Sequence, residues 1–167
     1  MTFKELLVRS RGSENQAPHR LLCLDPGHDT GWALFVDGEL TEWGQEHTVV
    51  DRHGHNEGTV DWRAMEHIFN ITTPTTVVFE NYRVYSSKSD RHINSEVLTV
   101  RIIGGIDYLC WKYNTPVYNQ MAFQHKGFCT DKKLKMWGYW QEGMRHSRDA
   151  IRIGCFWLLF NKEDVEC

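Results

Sequence analysis

Three carboxylates and one imidazole in this chain of 167 residues stand where they could do chemistry together: Asp25, Glu80, His146 and Asp149. Asp25 follows the apolar run Leu21-Leu22-Cys23-Leu24 and precedes Pro26-Gly27, while Glu80 follows Thr75-Thr76-Val77-Val78-Phe79. Each acid therefore lies at the mouth of a short buried strand. A rigid element holds a carboxylate there, and the ends of strands in an α/β sheet are where ligands bind. His146 and Asp149 are three apart at the start of a helical pattern, so they face the same way. Carboxylates gathered at one point repel unless cations lie between them. Hard oxygen donors suit Mg²⁺ or Mn²⁺ rather than zinc, with imidazole as an adaptable fourth member. Two such ions about 4 Å apart would clamp a phosphodiester, one activating a water and the other stabilising the leaving oxygen.

Each residue alone has a plainer reading. Asp25 can simply open a turn. Glu80 can be a surface charge at a strand end, and Asp149 can complement a helix dipole. A lone His146 is more often a cap or a packed ring than a ligand. Their joint occurrence at the ends of elements favours a site.

The elements that must position them follow from pattern. Met1 to His19 are polar, with no apolar period after Leu7, and read as a flexible N-terminal arm ahead of one domain over residues 20–167. Leu21–Leu24 and Thr30–Val36 are strands, and Asp37-Gly38 predicts a type I′ hairpin into a third over Glu39–Gln45. Thr48–Glu57 reads as an irregular polar loop; its His53-Gly54-His55 has no third ligand nearby. A helix is expected over Thr59–Asn70, a strand up to Glu80, and a basic, aromatic loop over Asn81–Asn94. A second helix spans Ser95–Tyr113, where Gly104-Gly105 points to close approach of a neighbouring backbone. Pro116-Val117-Tyr118 is a short strand. Thr130 caps a helix from Asp131, with Trp137 and Trp140 on its apolar side. The last helix covers His146–Leu159, with Ser147 as a candidate cap.

Bulk properties narrow the class. Hydrophobic content of 41% and charged content of 25% are ordinary for a soluble globular protein. No apolar run approaches a membrane span and no signal core opens the chain, so a cytosolic protein is expected. Five cysteines (Cys23, Cys110, Cys129, Cys155, Cys167) form no Cys-x-x-Cys pair and read as reduced thiols. The net charge of −3 hides an asymmetry: Arg20–Glu80 carries a net −8 and Asn81–Phe160 a net +6. A basic second half suits a polyanion, although a solvated helix face is as common a cause.

Meander, helix, strand, helix, strand, helix is the order of the ribonuclease H-like α/β fold, a five-stranded mixed sheet flanked by helices, though other α/β folds share it. Within that order, Asp25-Pro26-Gly27 with Thr30-Gly31-Trp32-Ala33 resembles the first motif of RuvC-type Holliday junction resolvases. Phe79-Glu80 resembles the second and His146-x-x-Asp149-Ala150 the last, most closely in the bacteriophage-encoded branch. The resemblance spans Leu21 to Leu159. It implies a homodimer that nicks four-way DNA junctions in pairs with Mg²⁺ (Mn²⁺ as substitute), two ions per site, leaving 5′-phosphate and 3′-hydroxyl ends. It implies that Asp25, Glu80, His146 and Asp149 are the metal-binding and catalytic positions, with His146 as ligand, general acid/base, or both. It further implies a junction wedge at Tyr82 or Tyr85, and backbone-contacting lysines at Lys132, Lys133 and Lys135; Arg83, Lys88 and Arg91 share the basic loop. No membrane or nucleotide cofactor is expected, and the bacterial host cytoplasm is the expected location for a phage product. Three other readings compete: a flap or debranching nuclease on the same scaffold, with the same metals and a different branched substrate; a junction- or tRNA-binding protein without cleavage; and an actin-like ATPase domain, for which 167 residues are too few.

Overall fold

The apolar run before Asp25 forms β1 (Arg20–Asp25), buried from Leu21 onward because strands flank it on both edges and helices cover both faces. The computed structural model describes residues 1–11, 17–51, 58–82 and 98–161. β2 (Asp29–Val36) pairs antiparallel with β1 and places Asp25 opposite Gly31. Asp37 and Gly38 take φ of 49° and 81°, as a type I′ turn requires, and lead into β3 (Glu39–His47). β6 (Thr76–Glu80) lies parallel to β1 on its other side, with Leu24 opposite Phe79, and β7 (Val117–Gln120) lies parallel to β6. The order β3-β2-β1-β6-β7 gives the expected five-stranded mixed sheet, and it sets the ends of β1 and β6 side by side.

Alternation along the strands divides the core in two. Leu21, Cys23, Ala33, Phe35 and Val78 face α6 (Arg145–Phe160) and its neighbours α1 (Phe3–Arg11) and α5 (Asp131–Trp137). Leu22, Leu24, Val77 and Phe79 face α2 (Trp62–Thr72) and α3 (Leu98–Lys112). The second-side helices bury Met65, Ile68, Phe69, Ile102 and Ile106. Cys23, Cys110, Cys129 and Cys155 are free buried thiols, as expected. Among the described residues no helix is long and apolar enough to cross a membrane.

Several local expectations change. Phe3–Arg11, read as part of an arm, is helix α1: Phe3 and Leu7 are buried, and the Phe3 ring lies 5.1 Å from that of Trp137. Two anchors four residues apart are too few to register as a period. Val49–Asp51 (β4) and Gly58–Val60 (β5) pair as a small antiparallel sheet, where a loop and the start of a helix were expected. The helix begins later because the Asp61 carboxylate caps it, accepting from the amides of Arg63 and Ala64. At Gly105 it is a side chain that comes close, not a backbone: a Cβ there would lie 2.4 Å from the Trp62 ring.

Thr130 does cap α5, but that helix ends at Gly138 and leaves Trp140 beyond it. Ser147 is no cap, since α6 starts at Arg145 and buries the serine in its first turn. A further helix, α4 (Ala122–Phe128), occupies a stretch whose sequence shows no clear helical period.

Candidate active site

Asp25 ends β1 above a turn fixed by two buried threonines. The Thr48 hydroxyl donates to the Gly27 carbonyl at 2.6 Å and meets the Thr30 hydroxyl at 2.9 Å, while the Thr48 amide donates to the His28 carbonyl. These bonds satisfy the turn's polar groups without solvent and hold the acid's backbone. Opposite Asp25, the absence of a side chain at Gly31 lets the start of α6 lie directly on β2. That places His146 Nδ1 2.8 Å from Asp25 Oδ2. An ionised carboxylate only accepts, so Nδ1 carries the proton of this bond. Burial pushes the Asp25 carboxyl above its ordinary value; the His146 bond opposes this, and the charges of Glu80 and Asp149 add to it. The same bond raises His146 against its partial burial.

Glu80 ends β6 and receives two donors from α4. His125 Nε2 and Lys126 Nζ each lie 3.0 Å from Glu80 Oε2. Burial acts to raise this carboxyl, yet the bonds from His125 and Lys126 prevail and hold it below its ordinary value. Asp149, buried in the first turns of α6, pairs with Arg152 one turn on, and its Oδ2 lies 3.4 Å from Lys126 Nζ. Arg152 also donates to the Cys129 carbonyl at 3.0 Å and pairs with Asp131, tying α6 to α4 and α5. The Lys126 ammonium loses solvation by its burial, but the bond to Glu80 and the charges of Asp149, Glu80 and Asp25 raise its pKa.

The four residues singled out in the sequence thus meet at one end of β1 and β6, in two linked sets: Asp25 with His146, and Glu80 with Asp149 through Lys126. Three polar partners are not signalled as such by the motifs: His125, Lys126 and Arg152. Of these, Arg152 has a sequence signal that could have found it, its place one helical turn beyond Asp149. His125 and Lys126 lie on α4, and nothing in Gln124-His125-Lys126 signals Glu80 as a partner.

Among the described residues no three His, Cys, Asp or Glu side chains are arranged as a ready metal-ligand set. Glu80 and Asp149 are bridged by the Lys126 ammonium, and Asp149 also pairs with the Arg152 guanidinium. In kind, the three carboxylates suit a hard divalent cation.

Tyr82 lies half-buried two residues past Glu80, and the intervening Asn81 amide donates to the Gln120 carbonyl. Arg83, Tyr85, Lys88 and Arg91 fall outside the described residues. Lys132, Lys133 and Lys135 are on α5; Lys133 Nζ stands 3.3 Å over the Phe128 ring and Lys135 Nζ 4.6 Å over Trp140. Arg148 stacks on Trp140 as well, at 4.5 Å, so this tryptophan carries two cations.

No family profile and no curated protein matches the sequence. Solved structures do match the fold. The chain superposes on RuvC of T. thermophilus in complex with a Holliday junction substrate with a TM-score of 0.59 at 13% identity, covering 84% of this chain and 93% of that one. A second Thermus thermophilus RuvC structure gives 0.53 at 14% identity, covering 84% and 94%. The yeast mitochondrial Holliday junction resolvase gives 0.55 at 14%, covering 93% and 84%. This protein therefore has the ribonuclease H-like fold of the RuvC-type Holliday junction resolvases.

Proposed function

We propose that this protein is a structure-selective DNA endonuclease that resolves four-way junctions, working as a homodimer with Mg²⁺. The observation that carries the reading is the set of acids at one end of the sheet: the Lys126 ammonium bridges Glu80 and Asp149 and also feels the charge of Asp25, to which His146 is bonded. A fold built for packing alone has no reason to collect three acids at one strand end, because burying like charges costs stability. Asp25, Glu80, Asp149 and His146 are the residues that would hold the divalent ions. Bound there, such ions supply Lewis-acid polarisation of the phosphate and a nucleophilic water.

The protein's own groups have separate tasks. His146 is oriented through Nδ1 by Asp25, which leaves Nε2 for one of two tasks: holding an ion, or taking a proton from the attacking water and returning it to the leaving oxygen. Lys126 balances the acids until the substrate and its ions arrive. Lys132, Lys133 and Lys135, with Tyr82, Arg83, Tyr85, Lys88 and Arg91, meet the DNA backbone and the junction centre, positioning it without reading sequence. The dimer reading is supported by the outer face of α3, where Val100, Tyr108 and Trp111 are exposed, the last at 77%. Beside them, a groove of about 600 Å³ runs between α2 and α3 over Gly104 and Gly105. Large apolar side chains exposed together on one helix face fit an interaction surface. On the motif likeness to phage-encoded enzymes, the activity would be exercised in a bacterial host's cytoplasm.

One observation favours a second reading, a junction-binding protein without cleavage: Lys126 already occupies the space between Glu80 and Asp149. A single experiment separates the two. The protein is incubated with four-way, three-way, flap and linear DNA, with and without Mg²⁺, and the cuts are mapped. Paired symmetric nicks in the four-way junction, abolished by Asp25→Asn and by Glu80→Gln while binding persists, are expected. Junction binding without cuts in any divalent metal establishes the second reading, and undiminished nicking by either variant removes the acids from the chemistry.

A further inference from the structure

His125 is a histidine with no role in the reading above, and its surroundings are unusual. Its side chain is 0% exposed, Nε2 lies 3.0 Å from Glu80 Oε2, and Nδ1 is buried with no hydrogen-bond partner. A buried imidazole has a bland explanation when both nitrogens are satisfied by backbone. Here one is spent on a candidate metal ligand and the other on nothing, so packing alone does not explain the residue. Because the carboxylate of Glu80 accepts, Nε2 donates the proton of this bond.

The adjacent Lys126 donates to the same oxygen, but the two donors differ in kind. Lys126 ends a flexible side chain that is 41% exposed and is shared with Asp149; His125 is a rigid ring enclosed by protein. An incoming cation can displace the ammonium into solvent. It cannot displace the ring. Neither donor uses Oε1, so one oxygen of the carboxylate is not engaged by them.

We infer that His125 is the positioning residue for Glu80: it fixes the carboxylate through Oε2 so that the same rotamer is kept when Lys126 is exchanged for a divalent ion. The inference rests on the two-metal reading of this site and extends it to a residue outside the ligand set. Hydrogen-bonding partners of ligating groups are worth about 10–100-fold in metal affinity. Preorganisation is the reason: without the ring, Glu80 must be ordered by the metal itself, and the cost appears in binding.

The test uses the full chain and three variants, His125→Leu, His125→Gln and His125→Asn. Mn²⁺ affinity is measured by calorimetry without DNA, and the Mg²⁺ concentration for half-maximal junction cleavage is measured separately. His125→Leu is expected to weaken Mn²⁺ binding about 10–100-fold. It should raise the Mg²⁺ requirement by a similar factor, with cleavage at saturating Mg²⁺ within a few-fold of the parent. His125→Gln, whose amide nitrogen reaches the place of Nε2, should restore most of the affinity, and the shorter His125→Asn should not. Parent-like Mn²⁺ affinity in His125→Leu overturns the inference while leaving the nuclease reading in place. Equal affinities in the Gln and Asn variants also overturn it, and that comparison decides the matter if the Leu variant fails to fold. A parent chain that binds no Mn²⁺ takes down both the inference and the reading beneath it.

Discussion

Gly31 and His146 meet backbone to backbone: a Cβ added to Gly31 would lie 2.0 Å from the His146 carbonyl carbon and 2.1 Å from its oxygen. Gly31 is required for space, and that space brings the imidazole onto Asp25 across the sheet. Gly31→Ala must therefore push the first turn of α6 away from β2. Overpacking of this kind costs about 1–3 kcal/mol, and a displacement near 1 Å costs roughly 100-fold in rate. Thermal unfolding and junction cleavage should show a folded, less stable and nearly inactive protein. Parent-like cleavage would mean that the helix start moves without consequence.

The acids should cost stability when no divalent ion is present. Asp25 is raised by burial and by its acidic neighbours, net of the His146 bond. A carboxyl raised in the folded state opposes folding at every pH above its unfolded value, because the fold holds the charged form less well than water does. Asp25→Asn should therefore melt at a higher temperature than the parent in chelator at neutral pH. A lower melting temperature would show that the pair with His146 outweighs the burial.

His146 and Glu80 should act at opposite ends of the pH scale. The bond to Asp25 raises His146, so its contribution is complete below the ordinary histidine value of 6.5 and is lost as pH rises through the folded value. Glu80 is held low despite burial, so its contribution is complete above 4.5 and is lost as pH falls through the folded value. The melting-temperature deficit of His146→Gln should shrink as pH rises past that histidine value, and that of Glu80→Gln should shrink toward acid. Deficits that do not change with pH would assign both residues to packing.

Replacing Lys132, Lys133 and Lys135 together by Gln should weaken binding to all DNA alike. For every phosphate that the variant no longer neutralises, the slope of log affinity against log salt should flatten by about 0.9. The readout is a binding titration at several salt concentrations. An unchanged slope would leave Lys133 and Lys135 as partners only of Phe128 and Trp140.

The exposed face of α3 should hold the dimer. Trp111→Glu with Tyr108→Glu places charge on side chains that are 77% and 58% exposed, so the core packing of the protomer is left intact. Light scattering should show the parent as a dimer and the double variant as a monomer. A parent that is itself monomeric at micromolar concentration refutes this use of the face.

Local physics made much of this molecule readable in advance. Leu21–Leu24 before Asp25 and Val77–Phe79 before Glu80 are apolar runs that suit a buried strand, and Asp37-Gly38 supports one kind of hairpin. Those signals are short-range, so the three acids and His146 could be placed at element ends from the sequence alone. Where the relevant energy lies in contacts between distant segments, the sequence was silent. Phe3 and Leu7 make a helix worthwhile only because Trp137 and Tyr139 wait to cover it. Gly31 reads as part of a turn motif until His146 arrives from 115 positions away. His125 and Lys126 belong to Glu80 only because β7 runs beside β6 and returns the chain to the same end of the sheet. Strand and turn propensities are properties of neighbouring residues and are written in their order. The identity of the groups that surround a buried charge is decided by packing, where desolvation makes each acid's partners a matter of tertiary structure alone.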